Sequence, residues 1–221
     1  MTELNPSPRD PGTLRPAFER PSLESLLALH GEPLLAAARA RARRDALRGR
    51  TVRISATAPG DVPVAARRER LGAPALDHLA WPHADMMAAG DRWLVQVDAD
   101  DDARARFAAW ALTVGAADLP ALRIAPCSRT AAGLHRLWCI AVLRLALPSQ
   151  VLVEARHDLL GIRLAQIALG FGADVLAGPI APDRSLPLCG VTRPDEATRA
   201  GLTTLVRHAG LTAIDDEETT R

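Results

Sequence analysis

The hydrophobic and polar positions of this chain follow two periods that alternate along most of its length. Five short segments either alternate apolar and polar residues or are apolar throughout, as β-strands do. Between them lie longer segments with apolar residues at helical spacing. The strands are predicted over residues 51–58, 92–98, 121–126, 150–155 and 174–178.

The N-terminal half carries clear signals for the ends of helices. Ser22 can cap a first helix, and a second helix is predicted from Pro33 to Arg48, ended by Gly49. Residues 59–90 contain several Pro and Gly breaks. We therefore predict at most two short helices in that stretch.

Alternating strands and helices predict an α/β fold with a parallel sheet, and the apolar strands predict that both faces of this sheet are covered. The chain has 221 residues, which is short of the roughly 250 of a full eight-unit barrel. We predict a disordered, Pro-rich lead-in over residues 1–20, one domain over 21–213 and an acidic tail over 214–221.

The composition narrows the possible functions. The formal net charge is +1, so no overall field favours nucleic acid or an anionic membrane as a partner. All 27 basic residues are Arg, which excludes Schiff-base catalysis by Lys and the Lys of a phosphate-binding P-loop.

The cysteines, Cys127, Cys139 and Cys189, form no CxxC pair, and this sparse, odd set predicts reduced thiols and a cytoplasmic protein. No apolar run reaches the roughly 20 residues of a membrane helix, and the N-terminus lacks the apolar core of a signal peptide.

A dense motif lies in the second half of the chain. One helix ends in R-L-A-L at residues 144–147, and residues 161–178 read G-x-x-x-A-Q-x-A-L-x-F-G-A-D-x-L-x-G. The last helix ends in Ala209-Gly210. Together, residues 105–211 resemble the C-terminal part of a radical-SAM subfamily. That subfamily contains aminofutalosine synthase, dehypoxanthine futalosine cyclase and the deazaflavin (FO) synthase proteins.

The resemblance implies an incomplete (β/α) TIM-like barrel with about five parallel strands, because relatives are longer and the missing length falls after the first strand. Relatives carry C-x-x-x-C-x-x-C after that strand, and its thiolates hold a [4Fe–4S] cluster. In this chain no cysteine precedes Cys127. We therefore expect no [4Fe–4S] cluster and no other cofactor. Val175 and Pro179 replace the family's second Asp and its Thr, so residues near the substrate end have changed.

Polar residues near the strand ends form the candidate site, because the carboxyl ends of parallel strands share one crevice. Arg156 is the predicted anchor for a small anionic or nucleoside-like ligand, since its planar fork can grip a carboxylate or phosphate. Cys127 is the one candidate nucleophile, with ordinary core packing as the alternative. The predicted ligand-binding residues are Asp98, Glu154, Arg156, His157 and Asp174.

Three further features have ordinary structural explanations. The acid run at residues 98–102 is typical of a helix N-terminus. His83 and Asp85, with His78 nearby, are too few for a zinc site, which needs three or four ligands. The Arg-rich helix within residues 33–48 has no interleaved aromatic residues and reads as a solvated face.

We predict a cluster-less radical-SAM-like pseudoenzyme, a partner or regulatory protein linked to futalosine-type menaquinone synthesis. Its partner would be a cluster-bearing radical-SAM homologue or a second copy of the chain, because an incomplete barrel leaves sheet edges open. The alternative is a small-molecule binding protein, or a non-radical enzyme, that uses the strand-end crevice. A third reading is a gene product without activity. If the chain is active, the resemblance implies an aminofutalosine synthase-type transferase.

Overall fold

The computed structural model describes residues 19–130, 133–182 and 194–216. Within these ranges the chain forms one sheet and a layer of helices. The helices are α1 (Leu23–Ala28), α2 (Pro33–Arg48), α3 (Asp101–Ala116), α4 (Gly133–Ala146), α5 (His157–Leu160), α6 (Ile162–Gly170) and α7 (Arg199–His208). The strands are β1 (Thr51–Ala56), β2 (Ala66–Arg70), β3 (Ala73–His78), β4 (Arg92–Gln96), β5 (Leu122–Cys127), β6 (Val151–Arg156), β7 (Val175–Gly178) and β8 (Thr212–Asp215).

The strands lie in the order β3-β2-β4-β5-β6-β7-β1-β8. All five predicted strands are present, as β1 and β4 to β7, and neighbours among them run parallel. The predicted α/β class with a mostly parallel sheet is therefore confirmed. The sheet is not closed, because β3 and β8 lie at its two ends.

About five parallel strands were predicted, and six of the eight described strands run parallel, since β8 adds to the five. The prediction did not include β2 and β3. The stretch 59–90, where at most two short helices were predicted, contains the antiparallel hairpin of β2 and β3. The hairpin turns at Gly72, whose positive φ of 76° suits glycine. Strand β2 reads ARRER, so its polar side chains hide the apolar alternation that marks a strand.

The eighth strand lies where the acidic tail was predicted to begin. β8 pairs in parallel with β1, and Ile214 lies opposite Arg53. The strand crosses the predicted boundary at residue 213, so the sheet extends into the acidic segment. Of the predicted lead-in only residues 19 and 20 are described, and residues 217–221 of the predicted tail lie outside the described ranges.

The long helices pack against one face of the sheet, and the central strands β5, β6 and β7 are largely buried on both faces. Contacts between α1 and α3, α3 and α4, α2 and α4, and α4 and α6 join them into one layer. Helix α4 is central and apolar on nearly all sides, and its Trp138 Nε1 donates to the Leu26 carbonyl at 2.9 Å. Alternate strand residues enter the core below this layer, among them Val52, Ile54, Trp93, Val95, Ile124, Val151, Val153 and Leu176.

Within the described part of the chain, no helix combines the length and apolar character needed to cross a membrane.

Candidate functional site on the charged face of the sheet

The strand residues that alternate with the core positions include a group of charged side chains that are buried or half-buried. Because successive side chains of a strand point to opposite faces, these residues lie on the face away from the helix layer. We call this the charged face and define it by Arg53, Ser55, Arg92, Arg123, Glu154 and Arg156. Its members come from β1, β4, β5 and β6, so they are spread over about 100 positions of the sequence.

One cluster on the charged face is centred on Glu154, whose side chain is fully buried. Arg92 Nε lies 3.0 Å from its Oε1 and 2.9 Å from its Oε2, and Arg123 Nη1 lies 3.3 Å from Oε1. Both arginines also donate to Ser55 Oγ, at 2.9 and 3.1 Å. Two guanidinium groups thus share one carboxylate and one hydroxyl.

Asp216, just after β8, completes this cluster. Its carboxylate accepts from Arg123 Nη2 at 2.8 Å and from Ser55 Oγ at 2.8 Å. Arg53 Nη1 lies 3.7 Å away. Burial alone would raise the pKa of Asp216, but the hydrogen bonds from Arg123 and Ser55 outweigh it and lower the pKa. Asp216 is therefore ionised at neutral pH.

A second cluster lies nearer the carboxyl ends of the strands, around Arg156. Its guanidinium is fully buried and donates to both oxygens of Asp158, at 2.9 and 2.7 Å. It also donates to Glu69 Oε2 and to the Ala58 carbonyl, each at 3.1 Å. Burial opposes its charge, but the bonds and charges of Asp158 and Glu69 raise the pKa of Arg156. Arg156 is thus saturated by protein acceptors, and a ligand would have to displace one of them.

Cys127 is next to Arg156 on the charged face but is poorly suited to act as a nucleophile. The thiol is buried, and burial raises its pKa to about 12 despite the nearby arginines. Its Sγ lies 3.5 Å from the Val95 carbonyl. Since the thiolate is the reactive form, a thiol of this pKa is unreactive at neutral pH.

Asp98 and His157 lie near the carboxyl ends of their strands. Asp98 is exposed and accepts from Gln96 Nε2 at 2.7 Å. His157 begins α5 and is buried, and burial lowers its pKa, so it is neutral at pH 7. Its ring packs directly over Gly178, where an added Cβ would lie 2.3 Å from Nε2. Only glycine leaves room for the ring at that position.

Asp174 lies away from the other predicted site residues. It precedes β7 at the amino end of that strand and faces the helix layer. There it accepts from Arg144 Nη1 at 2.5 Å and from the Val153 backbone N–H at 2.8 Å. Asp174 thus fixes α4 to the sheet, and the structure does not bring it to the rim that holds Asp98 and His157.

The structure explains the acid run but corrects the interpretation of the Arg-rich helix as a solvated face. Arg44 of α2 is fully buried and donates to the Leu169 carbonyl, whereas Arg39 and Arg41 are exposed. Asp100 caps α3 by accepting from the Ala103 N–H at 2.8 Å, which accounts for the acid run. Among the described residues no group of three or more His, Cys, Asp or Glu side chains could hold a metal ion. A cavity of about 260 Å³ between α2 and α6 is lined by Arg41, Arg44 and Gln166, and all three side chains bond to protein partners there.

The described thiols do not fit a [4Fe–4S] cluster. Cys127 lies on the charged face, whereas Cys139 belongs to the core beneath the helix layer. Burial raises the pKa of Cys139 well above the ordinary value, so neither thiol favours the thiolate that binds iron. Residues 57–65, which follow β1, contain no cysteine, and Cys189 lies outside the described ranges.

The sequence reasoning did not identify Arg53, Ser55, Arg92, Arg123 or Asp216. The polar member of each strand's alternation was visible in TVRISA, RWLVQ and LRIAPC. What was not visible is that β1, which lies beside β7 in the sheet, brings Ser55 into contact with Arg92 of β4 and Arg123 of β5.

No protein-family model matches this chain. A search of curated proteins likewise finds no significant match.

Proposed function

We propose that this chain is a cluster-less radical-SAM-like pseudoenzyme that acts by binding, as a partner or regulatory protein in the cytoplasm. The placement of the thiols supports it most: Cys127 and Cys139 lie on different sides of the sheet, and burial favours the protonated form of both. The link to futalosine-type menaquinone synthesis rests on the resemblance of residues 105–211 alone.

The proposal includes an incomplete (β/α) TIM-like barrel. Strands β4 to β7 are consecutive neighbours connected by helices, which is the repeating unit of such a barrel. β1 lies beside β7, as the first and last strands do where a ring closes. β8 then occupies the place on the other side of β1.

Anaerobic reconstitution with iron and sulfide tests the absence of the cluster. We expect no absorption from a [4Fe–4S] cluster and no 5′-deoxyadenosine from S-adenosylmethionine, while a cluster-bearing homologue treated in parallel gives both. A stoichiometric cluster with reductive cleavage of S-adenosylmethionine would overturn the pseudoenzyme proposal.

The free edge at β3 supports a role in binding another protein. β3 is the outermost strand, and all its residues except the last are exposed. Leu71 and Leu79, on either side of β3, are 98% and 89% exposed. Free strand edges with apolar side chains are templates for pairing with another chain.

Sedimentation of the chain alone and mixed with a cluster-bearing homologue tests this role. We expect a complex that Leu76→Arg in β3 weakens by about 10-fold or more. Leu34→Arg is the matched control, since Leu34 is 86% exposed on α2, away from β3. A chain that stays monomeric in both samples would contradict the partner proposal.

A second candidate function, binding of a small ligand at the strand-end crevice, is favoured by two buried polar atoms. His157 Nε2 and Thr57 Oγ1 have no hydrogen-bond partner among the described residues. Both lie at Gly178: the His157 ring packs on it, and the Thr57 N–H donates to its carbonyl at 3.0 Å. Buried polar groups left without a partner are costly, so a ligand that bonded to them would gain affinity.

A thermal-shift screen of nucleoside-like and anionic compounds, repeated on His157→Phe and Arg156→Ala, tests this candidate. We expect compounds that stabilise the wild type to lose their effect in His157→Phe. Compounds that stabilise all three proteins equally would show that they do not bind at the strand-end crevice, which would contradict this candidate function.

A further inference from the structure

The part of the charged face around Asp216, which consists of Arg53, Ser55, Arg123 and Asp216 and is called the lower cluster here, has the chemistry of a site for an anionic oxygen group. Its donors are Arg53 and Ser55 of β1 and Arg123 of β5. All three face one carboxylate. That carboxylate is Asp216, and Arg123 Nη1 approaches Oδ2 at 2.6 Å while Arg123 Nη2 donates to Oδ1 at 2.8 Å. This is the two-pronged grip by which a guanidinium recognises a carboxylate or phosphate.

The position of Asp216 distinguishes it from the other carboxylate of the cluster. Glu154 lies within β6, in the middle of the sheet, and is fully buried. Asp216 follows the last residue of β8, which among the described strands pairs with β1 alone. Withdrawing its carboxylate would require movement only at the edge of the sheet, whereas withdrawing Glu154 would require disrupting β6.

The net charge of the cluster centred on Glu154 is positive both with and without Asp216. With Asp216 present, three arginines, Arg53, Arg92 and Arg123, face two carboxylates. Without it, Arg92 and Arg123 share Glu154 as their one carboxylate in this cluster, so the cluster becomes more positive by one charge. The side chains of Arg53, Arg92 and Arg123 are 29%, 18% and 22% exposed, which leaves room for a ligand to approach.

We propose that Arg53, Arg123 and Ser55 form a binding site for the carboxylate or phosphate group of a small ligand, and that Asp216 occupies it as an internal competitor. The ligand group exchanges with the Asp216 carboxylate and takes over its hydrogen bonds from Arg123 and Ser55. Because the competitor is part of the chain, its effective concentration is of the order of millimolar or higher. The wild-type protein therefore binds weakly until Asp216 leaves.

This proposal does not depend on the absence of a cluster or on the pathway, so the reconstitution experiment and the present one can fail independently. It places the ligand on the lower cluster of the charged face, apart from the rim with His157 and Thr57. A site at the rim would be unaffected by changes at residue 216.

The test is a calorimetric titration of the full chain at constant ionic strength with acetate, inorganic phosphate and the neutral acetamide. We expect Asp216→Ala to bind acetate, phosphate or both at least about 10-fold more tightly than the wild type, because the internal competitor is gone. Whichever anion gains more identifies the ligand group. Acetamide should not bind to either protein.

Asp215→Ala is the matched control, since the neighbouring Asp215 pairs with Arg199 and not with the site. It should bind as the wild type does. Adding Arg123→Met to Asp216→Ala should abolish the gain, and Asp216→Asn, which keeps the shape of the side chain, should reproduce it if the alanine variant folds poorly. Equal affinities in the wild type, Asp215→Ala and Asp216→Asn would overturn the proposal, as would an equal response to chloride.

Discussion

The two faces of the sheet use charge in opposite ways. On the face under the helices, buried arginines bond chiefly to backbone carbonyls and fix one element to another. Arg144 donates to Asp174 and to the carbonyls of Val151, Leu147 and Pro148, and Arg44 donates to the Leu169 carbonyl. On the charged face, arginines bond mainly to side chains; Arg92 and Arg123 remain partly exposed, and Arg156 is fully buried.

The difference assigns separate tasks to the two faces. Bonds to the carbonyls at the ends of helices and strands cannot be replaced without unpairing the backbone, so they stabilise the fold. Side-chain ion pairs on a partly exposed face contribute little to stability, and apolar residues often replace them without loss. A charged face that does not stabilise the fold is available for binding.

The largest effect is expected at Arg144. Arg144→Met leaves the carboxylate of Asp174 buried, with the Val153 N–H and Arg48, 3.7 Å away, as its partners, and frees three backbone carbonyls. We expect the free energy of unfolding to fall by about 3–5 kcal/mol, measured by urea denaturation. Arg41→Met removes an exposed helical pair with Asp45 and should cost less than about 1 kcal/mol. A similar loss of unfolding free energy in both variants would show that the buried charges of the helix-covered face stabilise the fold no more than an exposed ion pair does.

Acid should weaken the helix-covered face before it affects the charged face. Burial lowers the pKa of His135 from its ordinary value of 6.5 to about 4, with a smaller contribution from His30. The unfolded chain therefore takes up the proton first, so stability is full above pH 6.5 and falls as the pH drops towards 4. We expect a loss of about 2–3 kcal/mol across this window, part of the shift being screened by solvent.

Urea denaturation at pH 7.5 and pH 5 measures this loss, and His135→Phe should reduce it. The remaining slope comes from His30 and His157, whose pKa values burial also lowers. Asp216 has a lowered pKa and so contributes to stability down to below its ordinary pKa of about 3.9. An equal stability at the two pH values would contradict the neutral, buried state of His135.

The packing of the helix layer can be tested without changing any charge. At Gly115 in α3, an added Cβ would lie 2.3 Å from the Ala146 carbonyl oxygen at the end of α4. Gly115→Ala should therefore cost about 1–3 kcal/mol, because backbone has to move. Gly170 in α6 has no atom within 4 Å of such a Cβ, so Gly170→Ala should be neutral or slightly stabilising. A thermal melt of the two variants compares them, and an unchanged melting temperature for Gly115→Ala would show that α3 and α4 are loosely packed.

Much of the helix-covered face could be predicted from the sequence, because local periodicity determines it. Apolar alternation identified β1 and β4 to β7, whereas the hairpin was missed because β2 is almost wholly polar. The charged face could not be predicted, since most of its pairs join residues that are distant in sequence, such as Arg123 with Glu154, 31 positions apart, and Ser55 with Asp216, 161 positions apart. Asp174 was misplaced because it comes just before β7, so its side chain lies at the amino end of that strand.

The comparison of the two faces is tested most directly by the unfolding free energy of Arg123→Met beside that of Arg144→Met. In Arg123→Met, Glu154 keeps Arg92 and Asp216 keeps Ser55. The account predicts a loss of no more than about 1 kcal/mol, against about 3–5 kcal/mol for Arg144→Met. A loss of about 3 kcal/mol or more in Arg123→Met would contradict it, because the charged face would then be needed for the fold itself.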